Sequence, residues 1–85
     1  MIEWFLYTQS MLTTALRSFH AVALHSGFSA AARAMNISQP TLSTQVKALE
    51  KRYDVELFSR IKRDVHLTPA GQKLYQTTLR LMQNE

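Results

Sequence analysis

Apolar positions along this chain fall into three helical rhythms, then a short alternating stretch, then a fourth helical rhythm. Leu12, Leu16, Phe19 and Ala23 recur at helical steps with Val22 beside them, which predicts a helix over 12–26, stopped by Gly27. Ser29 is a good N-cap for a short second helix over 30–35, because its side-chain oxygen can accept an orphaned backbone N–H. Asn36 tolerates the left-handed conformation that ends a helix, and Ile37 plugs the turn into the core. Ser38 opens a third helix running to about Arg52. Pro40 sits in its first turn, where a missing N–H costs nothing, and Leu42, Val46 and Leu49 form its buried stripe. Val55, Leu57 and Phe58, then Val65 and Leu67, read as two strands with the polar segment 59–64 between them, although no Asn-Gly or glycine turn marks the hairpin. Thr68 caps a last helix with Pro69 at its first position. Ala70, Leu74, Thr77 or Thr78, and Leu81 then repeat at four- and three-residue steps, the rhythm of a coiled-coil seam, with Tyr75, Leu79 and Met82 widening it.

The pattern predicts a mainly α domain: a three-helix core plus a two-stranded hairpin over 12–68, followed by a dimerisation helix over 69–85. The chain stops inside that helix without a cap signal, which reads as a piece of something longer. Residues 1–11 stand apart as an N-terminal extension. Trp4, Phe5, Leu6 and Tyr7 suit packing on something, a frayed extension, or an upstream translation start ahead of Met11, and the pattern does not choose among these.

Composition narrows the classes. A length of 85 residues makes one small domain, and the absence of cysteine removes disulfides and thiolate metal sites. The first eleven residues lack the basic leader of a signal peptide, and no stretch approaches a membrane span, so a cytoplasmic protein without a membrane partner is expected. The net charge of +4 favours a polyanionic partner. That charge is localised. Between Ser29 and Arg63 the cations Arg33, Lys47, Lys51, Arg52, Arg60, Lys62 and Arg63 face only Glu50, Asp54 and Glu56, so this segment carries as much net charge as the whole chain.

Two helices joined by a short turn cross steeply only where small residues meet, and Ala31 and Ala32 supply them. This is the spacing of a DNA-binding helix-turn-helix. The outer face of the third helix carries Gln39, Pro40, Ser43, Thr44 and Lys47, which are short, polar and mostly uncharged. A merely solvated face more often carries Glu and Lys pairs. Short amides and hydroxyls let a helix approach base edges, where Gln pairs with adenine and Thr or Pro carbons touch a thymine methyl. Lys47 suits a phosphate. The hairpin tip, with Arg60, Lys62 and Arg63, would lie on the backbone or in the minor groove, and the hydroxyls of Ser29 and Ser38 would join the backbone contacts.

Phe19, the FSAAA run, SQPTLS, VKALE from Val46 to Glu50, LFSR and LTPAG keep their order and spacing over nearly the whole chain. In these elements the sequence resembles the N-terminal winged helix-turn-helix of the LysR-type transcriptional regulators. The resemblance implies a winged fold and base contacts from the start of the third helix, here Gln39, Pro40, Thr41, Ser43 and Thr44, with Arg60 in the wing. It also implies a linker helix pairing two subunits, dimers often assembled into tetramers on promoter DNA, and a missing domain that binds a small-molecule effector. No cofactor is expected in this segment. The sequence departs from the family's pattern at Asp54, where glycine is common, at Met35, where leucine is frequent, and in the extension ahead of Met11.

Rival classes fare worse. His20 and His25 are five apart on one helix, whereas helical zinc pairs prefer four, and no phosphate-cradling glycine loop exists, so catalysis is not expected. A winged helix that only binds protein predicts indifference to DNA. An architectural DNA binder predicts steep salt dependence without sequence preference.

Overall fold

The structure is a computed structural model that describes residues 2–61 and 64–83. The elements run α1 (Ile2–His25), α2 (Phe28–Met35), α3 (Gln39–Tyr53), β1 (Phe58–Ile61), β2 (Asp64–Leu67) and α4 (Pro69–Gln83). The three-helix core, the two-stranded wing and the final helix of the expected fold are all present.

The core forms where the stripes of α1, α2 and α3 meet. Phe19, Val22, Ala31, Leu42 and Val46 are fully excluded from solvent, and Leu49 nearly so. Ala31 and Ala32 are both buried, as a close helix crossing requires. Burying a Leu, Val or Phe side chain contributes about 1.5–3 kcal/mol, so this cluster is the main favourable term in folding. Phe58 joins the wing to it, with ring centroids 5.3 Å from Phe19 and 5.7 Å from Phe28. A polar contact joins α1 to α3: the Ser18 hydroxyl, fully buried, donates to Gln45 Oε1.

Three helix ends share one device. The N–H of Ile37 donates to Ala32 O at 3.0 Å and that of Asn36 to Arg33 O at 3.2 Å. Val55 and Asp54 repeat this with Glu50 and Lys51, at 3.1 and 3.3 Å. Gly27 N donates to Val22 O at 3.3 Å. Each is a Schellman closure that needs a left-handed residue, and that residue is Ser26 (φ 56°), Asn36 (φ 58°) or Asp54 (φ 52°). Asn36 was expected. At the first turn the left-handed residue is Ser26 rather than Gly27, whose φ of 176° is ordinary extended backbone. Asp54 explains why the family pattern favours glycine there.

Four boundaries differ from the expectation. The first helix begins at Ile2, not near Leu12. Residues 2–11 hold no Gly or Pro to stop it, and Glu3 sits in its first turn, where the helix dipole favours an anion. Trp4, Phe5, Leu6, Tyr7 and Met11 on this stretch are exposed. The second helix begins at Phe28, with Gly27 in the cap position and no side-chain cap, so Ser29 lies inside the helix. The first strand is 58–61, because Val55 is consumed by the α3 closure. The strands also reach further toward the tip, pairing antiparallel from Phe58 with Leu67 to Ile61 with Asp64.

The stem that leads from α3 into the wing is held on two sides. One Glu50 carboxylate oxygen accepts from Leu57 N–H at 2.7 Å and Phe58 N–H at 3.4 Å. Opposite, Thr68 donates through its N–H to Leu57 O at 3.0 Å and through its hydroxyl to Glu56 O at 2.5 Å. The same Thr68 oxygen accepts from Gly71 N–H at 3.0 Å, capping α4 as expected. At Gly71 the backbones touch: a Cβ there would lie 2.1 Å from Leu57 O.

Candidate nucleic-acid interface

The third helix presents two unlike sides. Leu42, Val46 and Leu49 face the core. Gln39, Pro40, Thr41, Thr44 and Lys47 are exposed and Ser43 is half-buried. Pro40, Thr44, Lys47 and Lys51 follow one another at four-, three- and four-residue steps, so they form a single exposed stripe along α3. Lys51 extends the expected site, and its four-residue step from Lys47 is legible in the sequence.

Local chemistry fixes the start of this helix. Ser38, in extended conformation, accepts from Thr41 N–H at 3.2 Å, the N-cap bond. Its own proton goes to Thr41 Oγ1 at 2.8 Å. Thr44 donates to Pro40 O at 2.9 Å. Ser29, on α2, donates to Gln39 Oε1 at 2.9 Å. A hydroxyl has one proton to give. In this arrangement Ser29, Ser38 and Thr44 give theirs within the protein, and their oxygens offer only lone pairs outward. The hydroxyl protons of Ser29 and Ser38 are thus directed to Gln39 and Thr41 and not outward.

Of the wing residues, Arg60 lies in β1, paired with Val65, and Lys62 and Arg63 lie outside the described residues. On α4, Ala70 and Leu74 are half-buried, Thr77 is exposed and Leu81 is 52% exposed. Thr78 does not belong to an open seam. It is fully buried on α1, where its oxygen lies 2.9 Å from His20 Nδ1 while its hydroxyl donates to Tyr75 O at 3.1 Å. The His20 ring packs on Tyr75 at 5.3 Å, and burial lowers the His20 pKa below its ordinary 6.5. Among the described residues no group of three or more His, Asp or Glu is placed to hold a metal, and no helix is long and apolar enough to cross a membrane.

Comparison with known proteins bears on this geometry. The family model described as bacterial regulatory helix-turn-helix protein, lysR family, matches residues 13–72. The chain belongs to the LysR family. It is 45% identical over 67 residues to the HTH-type transcriptional regulator BudR of Klebsiella aerogenes, an alignment covering 79% of this chain and 47% of that protein. Its fold matches the BenM DNA-binding domain in complex with catB site 1 DNA, with a TM-score of 0.79 and 38% identity, covering 84% of this chain and 80% of that one. Full-length OxyR from Pseudomonas aeruginosa matches with a TM-score of 0.77 and 37% identity over 84% of this chain but only 24% of that one. The chain thus spans less than half the length of the relative and of the full-length regulator. The LysR match ends at residue 72, one residue past the Gly71 contact, so it takes in the helix-turn-helix, the wing and the first turn of α4.

Proposed function

We propose that this chain is the DNA-reading segment of a dimeric bacterial transcriptional regulator acting in the cytoplasm. Residues 12–68 would form the reading body and 69–85 the linker helix. The carrying observation is the outer stripe of α3, where short amide and hydroxyl side chains lead into Lys47 and Lys51 on a helix whose other face is locked in the core. Gln39, Pro40, Thr41, Ser43 and Thr44 meet base edges in the major groove. Lys47, Arg60, Lys62 and Arg63 hold the phosphate backbone or minor groove, with Lys51 added from its place on the stripe. The DNA complex of the BenM domain supports this mode of docking. Two copies pair through Ala70, Leu74, Thr77 and Leu81, set their α3 helices about 34 Å apart or a multiple of it, and read an interrupted inverted repeat in promoter DNA. In the full-length protein a further domain binds a small-molecule effector, and dimers assemble into tetramers.

Selection from a random pool of duplex DNA at near-physiological salt tests this reading. Enrichment of an interrupted inverted repeat is expected. Salt-sensitive binding without enrichment would replace it with an architectural role, and no binding would replace it with protein interaction. At the selected site, Gln39→Ala should lose about 1–3 kcal/mol and little elsewhere. Lys62→Ala should weaken all sequences together and flatten the salt slope by about one unit.

A further inference from the structure

Ser29 stands on α2, does not cap it, and is exposed. Its hydroxyl reaches across the helix-turn-helix to donate to Gln39 Oε1 at 2.9 Å. An amide oxygen carries two lone pairs and an amide nitrogen two protons. The bond leaves Gln39 one lone pair and both N–H donors to offer outward, with the amide oxygen toward α2.

That order matters to a base pair. Pairing with adenine uses the amide oxygen on N6–H and the amide nitrogen on N7. Across the major groove these two atoms lie in one sequence for A·T and in the opposite sequence for T·A. An amide free to turn over can meet either. An amide with its oxygen held toward α2 matches one order and presents like against like to the other.

We propose that Ser29 is a positioning residue that pins the Gln39 amide with its oxygen toward α2, so that Gln39 distinguishes A·T from T·A at the base pair it meets. This rests on the reading of Gln39 as a base contact. It replaces the phosphate role for Ser29, because a hydroxyl that has donated to Gln39 has no proton left for a phosphate oxygen.

The test uses the selected operator and measures affinities of the wild-type chain, Ser29→Ala, Ser29→Thr and Gln39→Ala. The base pair that Gln39 meets is the one whose preference Gln39→Ala abolishes. Wild type should favour one order of A·T over the reverse by on the order of tenfold. Ser29→Ala should bring the two orders within about threefold of each other while both still outbind G·C, and its thermal melt should match wild type, since Ser29 is exposed. Ser29→Thr keeps the hydroxyl and should restore the wild-type ratio. An unchanged ratio in Ser29→Ala overturns the proposal, and so does an equal loss at every sequence, which would mark a phosphate or folding role. If Gln39→Ala alters no base preference while wild type still selects an operator, Gln39 is not the reader and the pinning proposal falls with it. If wild type selects no operator, the sequence-reading function itself falls.

Discussion

Helices α3 and α4 have the same length, 15 residues, and the same opening grammar, a hydroxyl cap followed by proline in the first turn. Ser38 accepts from Thr41 N–H and Thr68 from Gly71 N–H. From there they diverge. α3 buries Leu42, Val46 and Leu49, and its cap proton stays within its own first turn. α4 buries only Gly71 and Thr78, and its cap proton goes to Glu56 O on the wing stem. One helix is positioned by a fully buried apolar stripe, the other by a backbone approach, polar contacts and the half-buried packing of Ala70, Leu74 and Tyr75. The stripe suits an element that must hold a reading face rigid. On α4 Leu81 stays 52% exposed, while Ala70, Leu74 and Tyr75 are half-buried against the core.

The largest effect should come from the stripe. Leu42→Ala removes a fully buried side chain and should cost about 2–5 kcal/mol, a large part of a small domain's stability. Leu81→Ala, at 52% exposure on α4, should change monomer folding by no more than about 0.5 kcal/mol. Chemical denaturation at low protein concentration checks both. Comparable losses would mean that α4 has a stripe of its own and the contrast is false.

The second effect isolates the backbone approach. Gly71→Ala places a Cβ 2.1 Å from Leu57 O, a backbone atom with little freedom to move. Forcing the helix off the stem should cost about 1–3 kcal/mol, as overpacking does. Gly27→Ala is the control. Nothing lies within 4 Å of its added Cβ and its φ is unstrained, so a change within about 0.5 kcal/mol is expected. Thermal melts of the pair decide. A Gly71→Ala protein as stable as the Gly27→Ala protein would show that the α4 contact yields easily.

This contrast also explains what could be read in advance. Helix periodicity marked Leu42, Val46 and Leu49 correctly because burial of a stripe leaves a repeating signature. Ala31 and Ala32 were legible for the same reason, as small residues where helices cross. The joint around Glu56, Leu57 and Phe58 left no such trace. It is set by Glu50, Thr68 and Gly71, which lie up to fourteen positions from Leu57, and no local pattern pairs a carboxylate with a distant backbone N–H. The first strand starts three residues later than the apolar pattern predicts, because Val55 has a strand residue's side chain but closes α3. Residue type alone makes Ser29 a cap, whereas its partner in the structure is Gln39 across the turn. Thr77 and Thr78 cannot be told apart by spacing; in the structure Thr78 is the buried one, against His20 of α1.

A third, smaller effect concerns how α3 ends. Asp54 holds a left-handed conformation (φ 52°) that costs an ordinary L-residue about 1–2 kcal/mol, less for Asp. Asp54→Gly removes that strain but gives the unfolded chain more freedom. The net should be a gain of up to about 1 kcal/mol, read as a raised melting temperature. A loss instead would mean that the Asp54 side chain holds the turn into the wing, and that α3, like α4, depends on a polar contact at its end.

The smallest effect is a pH dependence confined to the α1–α4 contact. Thr78 gives its proton to Tyr75 O, so its oxygen accepts from His20 Nδ1–H, and the ring lies against Tyr75. Burial lowers the His20 pKa in the folded chain below the unfolded value of 6.5. The unfolded chain therefore binds the proton more readily, and stability falls as pH drops from about 6.5 toward the folded value, then levels once both states are protonated. The contribution is fully present above pH 6.5. Replacing His20→Gln should flatten this acid limb while leaving the rest of the pH profile in place, measured by denaturation from pH 5 to 8. Since the hydrogen bond and ring contact of His20 are to α4, the same change should leave DNA sequence preference intact. A wild-type profile parallel to that of the variant would remove His20 as the source. A shifted base preference would show that α4 and the reading helix are coupled through α1, and that the two arrangements are less separate than their contacts imply.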